Sequence, residues 1–437
     1  MVTEAKRIFI EGGVPLHGTV EVNGSKNAAL PILFATLLTG ERCLIRNVPC
    51  LRDVRTAVFI LRRLGMSCEG LEDGSVEIDT IDPDPYTAPY EQVKAMRASI
   101  CALGPLLARR KRARVSLPGG CVFGTRPIDL HLKGLRALGA DVRIEHGYVV
   151  AEAERLVGNF IYLGGPFGST VLGTANIMMA ATLAKGRTVI DAAACEPEVV
   201  DLADFLNAMG AQVYGAGTPR IEVEGVDELH GTEYAVINDR IEAGTLLIAG
   251  AMTGGDVVVK GTRVDQLAAL IDVFQRMGVR VAAEDDWIRV WCDGPVRPSE
   301  VTTLPFPGFP TDLQAQIMAF LCLVDGVSVV TERVYPDRFM HLAELLRMGA
   351  IIRKEGPTAI VTGVERLSGA PVMASDLRAS AGLVLAGLVA EGRTEVDRIY
   401  HLDRGYERIE ERLSALGARI RRAEVEPASY SAAPSLA

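Results

Sequence analysis

The chain has 437 residues, more than one apolar core usually organises, so two or more domains are expected. Its 49% hydrophobic and 23% charged residues are ordinary for a globular protein, and a net charge of −9 gives no basis for nucleic-acid binding. Any anionic ligand must therefore be held by local basic groups.

The chain opens on MVTEAKRIFIEGG, which lacks the apolar segment of a signal peptide. No apolar run is long enough to span a bilayer, so no membrane association is expected. The eight cysteines form no CxxC pair and no regular spacing, which argues against zinc and against a disulfide framework. A cytoplasmic protein with reduced thiols and no metal is expected.

From there two signatures alternate. The first is an apolar residue, two spacers, Leu or Met, then Gly: LRRLGM, LRALGA, LNAMGA, FQRMGV, LLRMGA and LSALGA. The glycines are Gly65, Gly139, Gly210, Gly278, Gly349 and Gly417, at intervals of 74, 71, 68, 71 and 68. Each fits the left-handed position just past a helix end, and each precedes a β-like stretch such as ADVRIE. The second signature is a helix-length, almost wholly apolar segment followed by a turn and a strand, as in NAALPILFATLLTGERCLI and ANIMMAATLAKGRTVI. A helix apolar all round is a buried helix. Six units of about seventy residues predict two α/β domains of three units each. The tail after Arg422, EVEPASYSAAPSLA, is small and Pro-containing, and is expected to fray.

Polar groups crowd the starts of the buried helices: Ser25, Lys26 and Asn27; Arg97; Ser169 and Thr170; Asp239 and Arg240; Thr311 and Asp312; Ser375, Asp376 and Arg378. Helix capping accounts for Ser, Thr and Asp. It does not account for Lys26, Arg97, Arg240 or Arg378, because cations there oppose the helix dipole. An anion bound at the helix starts would account for them. Arg126, in the loop VSLPGGCVFGTRPID, and Arg404, in DRIYHLDRGYERIEE, fit the same idea. From local sequence Arg404 pairs equally well with Asp403 or Glu407. Several cations with few competing acids suit a doubly anionic substrate, such as a phosphate bearing a carboxylate. Neither a Walker A sequence nor a GxGxxG opening a helix is present. Cys121 stands among glycines in that loop, although cysteine prefers burial and most cysteines are core residues.

The motifs GSKNAALPIL, RNVPCLRDV, MRAS, LPGGCVFGTRPIDLHLKGL, EPEVVDLADFLNAMGA, NDRIEAGT, FPTDLQAQ, RFMHLAEL, SDLRASAGLVLAG and DRIYHLDRGYERIEERL occur in order over about residues 7–422. Together they resemble the UDP-N-acetylglucosamine 1-carboxyvinyltransferases, a family of enolpyruvyl transferases. The resemblance implies a two-domain inside-out α/β barrel built from six βαβαββ repeats around buried helices. It implies a discontinuous domain I (1–25 and 237–437) and a domain II (26–236), with a substrate cleft between them that closes on binding. The reaction implied is transfer of the enolpyruvyl group of phosphoenolpyruvate to the 3′-hydroxyl of UDP-N-acetylglucosamine. It releases phosphate through a tetrahedral intermediate, needs no cofactor or metal, and is the first step of peptidoglycan precursor synthesis.

By the same resemblance, Cys121 is the general acid, and its loop brings it to the cleft only with substrate; it is also the target of fosfomycin. Lys26, Arg126 and Arg404 grip the donor, Arg97 and Arg378 support them, and Asp312 is the general base. Asn27, Arg126, Pro127, Ile128, Asp129, Leu130, Thr170 and Val334 match acceptor-binding positions. The sequence departs from the family at PFGSTVLGTANIMM, where Leu172 replaces a glycine near the nucleotide phosphates. A one-residue shift would let Gly168 or Gly173 serve instead. Alternatives are a paralogue with another nucleotide acceptor such as UMP, the shikimate-pathway enolpyruvyl transferase, which GGCVFGTRP argues against, and a catalytically inactive binding protein, which the retained basic residues argue against. The oligomeric state is left open.

Overall fold

The computed structural model describes residues 5–93, 96–117 and 128–425. Cys121, Arg126, Pro127 and the tail 426–437 lie outside the described residues. The six apolar segments form six helical pieces: Lys26–Ala35, Leu103–Arg110, Val171–Ala181, Arg240–Met252, Gln314–Leu321 and Leu377–Val389. The second and fifth are preceded by 3₁₀ turns, Arg97–Ala102 and Thr311–Leu313. Every residue of Arg240–Met252 is buried, as an all-round apolar surface dictates. Close packing among these helices uses small residues. A Cβ on Gly382 would meet the Ala315 carbonyl oxygen at 2.9 Å, and one on Gly244 would meet Leu313 at 2.5 Å.

Around the helices, among the described residues, lie six four-stranded sheets. One unit runs strand Glu300–Thr303, helix Gln314–Leu321, strand Val327–Glu332, helix Leu342–Arg347, then strands Ile351–Glu355 and Thr358–Thr362. Its first two strands pair in parallel and the rest antiparallel, giving the βαβαββ pattern. The six repeat glycines all adopt φ between +83° and +100°, the left-handed termination expected of them.

The N-terminal strands belong to sheets completed by the C-terminal half. Ala5–Glu11 lies between Arg393–Asp397 and Arg419–Val425, and His17–Glu21 pairs with Asp256–Lys260. Glu233–Ala235 returns to pair with Cys43–Arg46. The two connecting segments meet at an isolated bridge between Gly24 and Asn238. Buried apolar residues accordingly fall into two cores, one drawn from residues 28–236 and the other from 8–22 and 241–420. The architecture is the two-domain α/β arrangement of six repeats. No helix among the described residues is long and apolar enough to cross a membrane.

Candidate active site

The helix starts expose why their polar residues are there. Ser25 accepts from the Ala28 amide, Thr170 from Gly173, Asp239 from Ile241 and Glu242, and Asp376 from Arg378 and Ala379. Capping therefore accounts for four of the six starts. The cations beside the caps are paired with carboxylates reached across space. Lys26 Nζ lies 3.3 Å from Asp53 Oδ2. Arg404 Nε lies 2.9 Å from Asp53 Oδ1, so neither Asp403, which holds Arg422, nor Glu407 is its partner. Arg240 forms a buried pair with Glu198, at 3.0 and 3.3 Å. Arg378 reaches Asp312 Oδ2 at 3.0 Å.

These residues line one cleft of about 370 Å³ with walls from both cores. Lys26, Asn27, Arg97, Asp312, Val334, Arg378 and Arg404 all border it, as does Leu172. Ile128, Asp129, Leu130 and Thr170 do not: Ile128 is buried in the core, Leu130 packs beside Gly165, and Asp129 starts an outer helix. The expectation of few competing acids is corrected. Asp53, Glu196, Glu198, Asp312 and Asp376 border the cleft together with Lys26, Arg97, Arg240, Arg338, Arg378 and Arg404. Asp53 and Glu198 come from the first turns of outer helices, Glu196 and Asp376 from cap positions, and Asp312 from the 3₁₀ turn before a buried helix.

Asp53, Glu196, Glu198 and Arg338 were not singled out by sequence. Asp53 and Arg338 fall within RNVPCLRDV and RFMHLAEL, and a first-turn acid such as Asp53 reads locally as a dipole partner. Arg338 places Nη1 2.8 Å from Asp312 Oδ1 and 3.0 Å from Thr311 Oγ1. Asp312 is thus held between two guanidiniums.

Burial works against ionisation of Asp312, but the charges of Arg378 and Arg338 outweigh it and hold its carboxyl well below the usual range. Burial pushes Lys26 down from the usual lysine value, assisted by Arg378 and Arg404 and opposed by Asp53. Arg378 keeps two further donors, Nε and Nη1, without a partner among the described residues. Paired charges in a concave site, with donors to spare, can receive an anion by exchanging carboxylate partners for it.

The model of the family described as EPSP synthase (3-phosphoshikimate 1-carboxyvinyltransferase) matches residues 10–413. A UDP-N-acetylglucosamine 1-carboxyvinyltransferase of Methylacidiphilum infernorum is 54% identical over 417 residues, 95% of this chain and 99% of that one. One of Anaeromyxobacter sp. is 56% identical over 421 residues, with the same shares covered. The chain belongs to the UDP-N-acetylglucosamine 1-carboxyvinyltransferases of the EPSP synthase family. Among solved structures, the enolpyruvyl transferase NikO from Streptomyces tendae superposes with a TM-score of 0.86 at 26% identity, covering 97% of this chain and all of that one. EPSP synthase from Acinetobacter baumannii shares the fold, with a TM-score of 0.74 at 19% identity over 96% of this chain and all of its own.

Proposed function

We propose that this chain transfers the enolpyruvyl group of phosphoenolpyruvate to the 3′-hydroxyl of UDP-N-acetylglucosamine, releasing phosphate and opening peptidoglycan precursor synthesis in the cytoplasm. The observation that carries the reading is the cleft itself: Lys26 and Arg404 meet on Asp53, and Arg338 and Arg378 meet on Asp312, within a near-full-length match to the family.

In the first step the 3′-oxygen bonds to C2 of the donor. Its proton passes to Asp312, while Cys121 delivers a proton to C3. In the second step C3 returns a proton to the Cys121 thiolate, the bond between C2 and the bridging oxygen of the phosphate breaks, and phosphate leaves with that oxygen and the proton held by Asp312. Lys26, Arg126 and Arg404 neutralise the donor, supported by Arg97 and Arg378. An Asp312 held ionised by two arginines is a weak base. A donor anion that draws those guanidiniums to itself raises the basicity of Asp312 only when the donor is present. Asn27 and Val334, both bordering the cleft, hold the acceptor together with Arg126 and Pro127.

The two cores support a division into residues 1–25 with 237–437 and residues 26–236, closing on each other around the substrates. Phosphate release from phosphoenolpyruvate with UDP-N-acetylglucosamine, UMP or shikimate 3-phosphate tests the reading. Release is expected with the first acceptor only, and release with either of the others instead would overturn it.

A further inference from the structure

Glu332 ends the strand Val327–Glu332 and is fully buried, yet it does not border the cleft. Four donors converge on its carboxylate. Oε1 accepts from Thr303 Oγ1 at 2.6 Å and from the amides of Val334 and Tyr335, each at 2.9 Å. Oε2 accepts from Thr311 Oγ1 at 2.9 Å. Burying a carboxylate is costly unless it is fully hydrogen-bonded, and a surface turn needs no such anchor.

What the four bonds join is informative. Val334 and Tyr335 form the turn that borders the cleft where the acceptor is placed. Thr311 precedes Asp312 in the same 3₁₀ turn. Because the Thr311 hydroxyl gives its proton to Glu332, its lone pairs face outward, and one takes the Arg338 Nη1 donor at 3.0 Å. That same nitrogen is 2.8 Å from Asp312 Oδ1. The direction of donation is therefore set from Arg338 to Thr311 to Glu332.

We infer that Glu332 is a positioning residue: through Oε1 it fixes the acceptor-side turn at Val334, and through Oε2 and Thr311 it fixes the arginine that holds Asp312. The inference rests on the enolpyruvyl-transfer reading of the cleft. It assigns Glu332 no contact with substrate. Its effect is to keep acceptor and base in register, where a displacement of an ångström costs orders of magnitude in rate.

Substitution separates the two arms. Glu332→Gln leaves the Val334 and Tyr335 amides an uncharged, weaker oxygen and turns an N–H toward Thr311, whose hydroxyl already accepts from Arg338 and can no longer donate there, so it disturbs both arms. Thr311→Val cuts only the Oε2 arm, and Thr311→Ser restores its hydroxyl.

The test is steady-state kinetics with both substrates varied, on variants matched for folding by circular dichroism. Glu332→Gln is expected to lower kcat about tenfold or more and to raise KM for UDP-N-acetylglucosamine, with KM for phosphoenolpyruvate within about twofold. Thr311→Val is expected to lower kcat similarly, Thr311→Ser to recover most of it, and the double variant Glu332→Gln with Thr311→Val to be no worse than the poorer single.

Losses that multiply in the double variant, a Glu332→Gln enzyme equal to the parent, or equal rises in both KM values overturn the inference. If Glu332→Gln does not fold, the Thr311 pair decides: rescue by serine supports the relay, and a valine variant equal to serine overturns it. A parent that releases no phosphate overturns the reading of the reaction and the inference with it. An active parent with unaffected variants overturns the inference alone.

Discussion

Asp312 is half-buried between Arg338 and Arg378, so removing its charge acts on chemistry and on stability together. Asp312→Asn keeps size and part of the hydrogen bonding. It is expected to bind UDP-N-acetylglucosamine nearly as well while losing about two or more orders of magnitude in turnover. Because it leaves two cations without their counter-charge, it should also melt at lower temperature than the parent. Turnover near normal would remove Asp312 as the base. Arg404→Ala should instead raise KM for phosphoenolpyruvate and spare acceptor binding.

The cysteines allow a sharper test. Burial raises all seven described thiols, with Cys68, Cys101 and Cys322 pushed up to about 12. Cys121, with Arg126 five residues on, is the one expected to react. Fosfomycin should therefore give one adduct, on Cys121, formed faster with acceptor present. Cys121→Ser should lose the adduct and most turnover, and Cys121→Asp should lose the adduct but keep appreciable turnover. Peptide mapping that finds the adduct on Cys43, Cys101 or Cys195 would contradict this.

At the scale of elements, the joint between the halves is held by buried carboxylates. Asp201 accepts from Tyr234 Oη at 2.6 Å and from the Ile237 amide at 3.2 Å, tying the returning segment to the helix Pro197–Ala208. Burial raises its carboxyl from 3.8 to about 6, the Tyr234 and Ile237 donors opposing. A raised carboxyl pKa makes the native state hold its proton longer than the unfolded chain. The contribution is therefore full below about pH 4 and lost as pH rises through about 6. Relative to Asp201→Asn, the parent should lose up to about 3 kcal/mol of stability across that interval. Urea melts of both proteins from pH 4 to 7 would show it, and a constant difference would exclude it.

The repeat was legible because it is written in local chemistry. A glycine past each outer helix and an apolar helix in each unit need no knowledge of tertiary contacts. Lys26, Arg97, Arg240 and Arg378 were legible as anomalies, cations set at the starts of buried helices, whereas Asp312 reads locally as a cap and drew its role from the family resemblance. Asp53 and Arg338 were not, because each is ordinary on its own element and acquires meaning only from a partner over twenty residues away. Glu332 was hidden for the same reason: a glutamate ending a strand reads as solvent-facing until Thr303 and Thr311 are seen to converge on it.

Across the whole molecule, the charged residues of the cleft come from both halves, with Lys26 and Asp53 on one side and Arg404, Arg378 and Arg338 on the other. Acceptor bound between them should draw the two halves together. Small-angle scattering should show compaction on adding UDP-N-acetylglucosamine, and limited proteolysis should show protection of residues 115–127; neither change would argue against closure. The reaction is read most directly with phosphoenolpyruvate carrying ¹⁸O in the C–O–P bridge. Addition and elimination break the C2–O bond. All the label should leave in phosphate, with a new enolpyruvyl ether on the 3′-oxygen of UDP-N-acetylglucosamine. Label retained in the three-carbon product, or phosphate formed without that ether, would contradict the account.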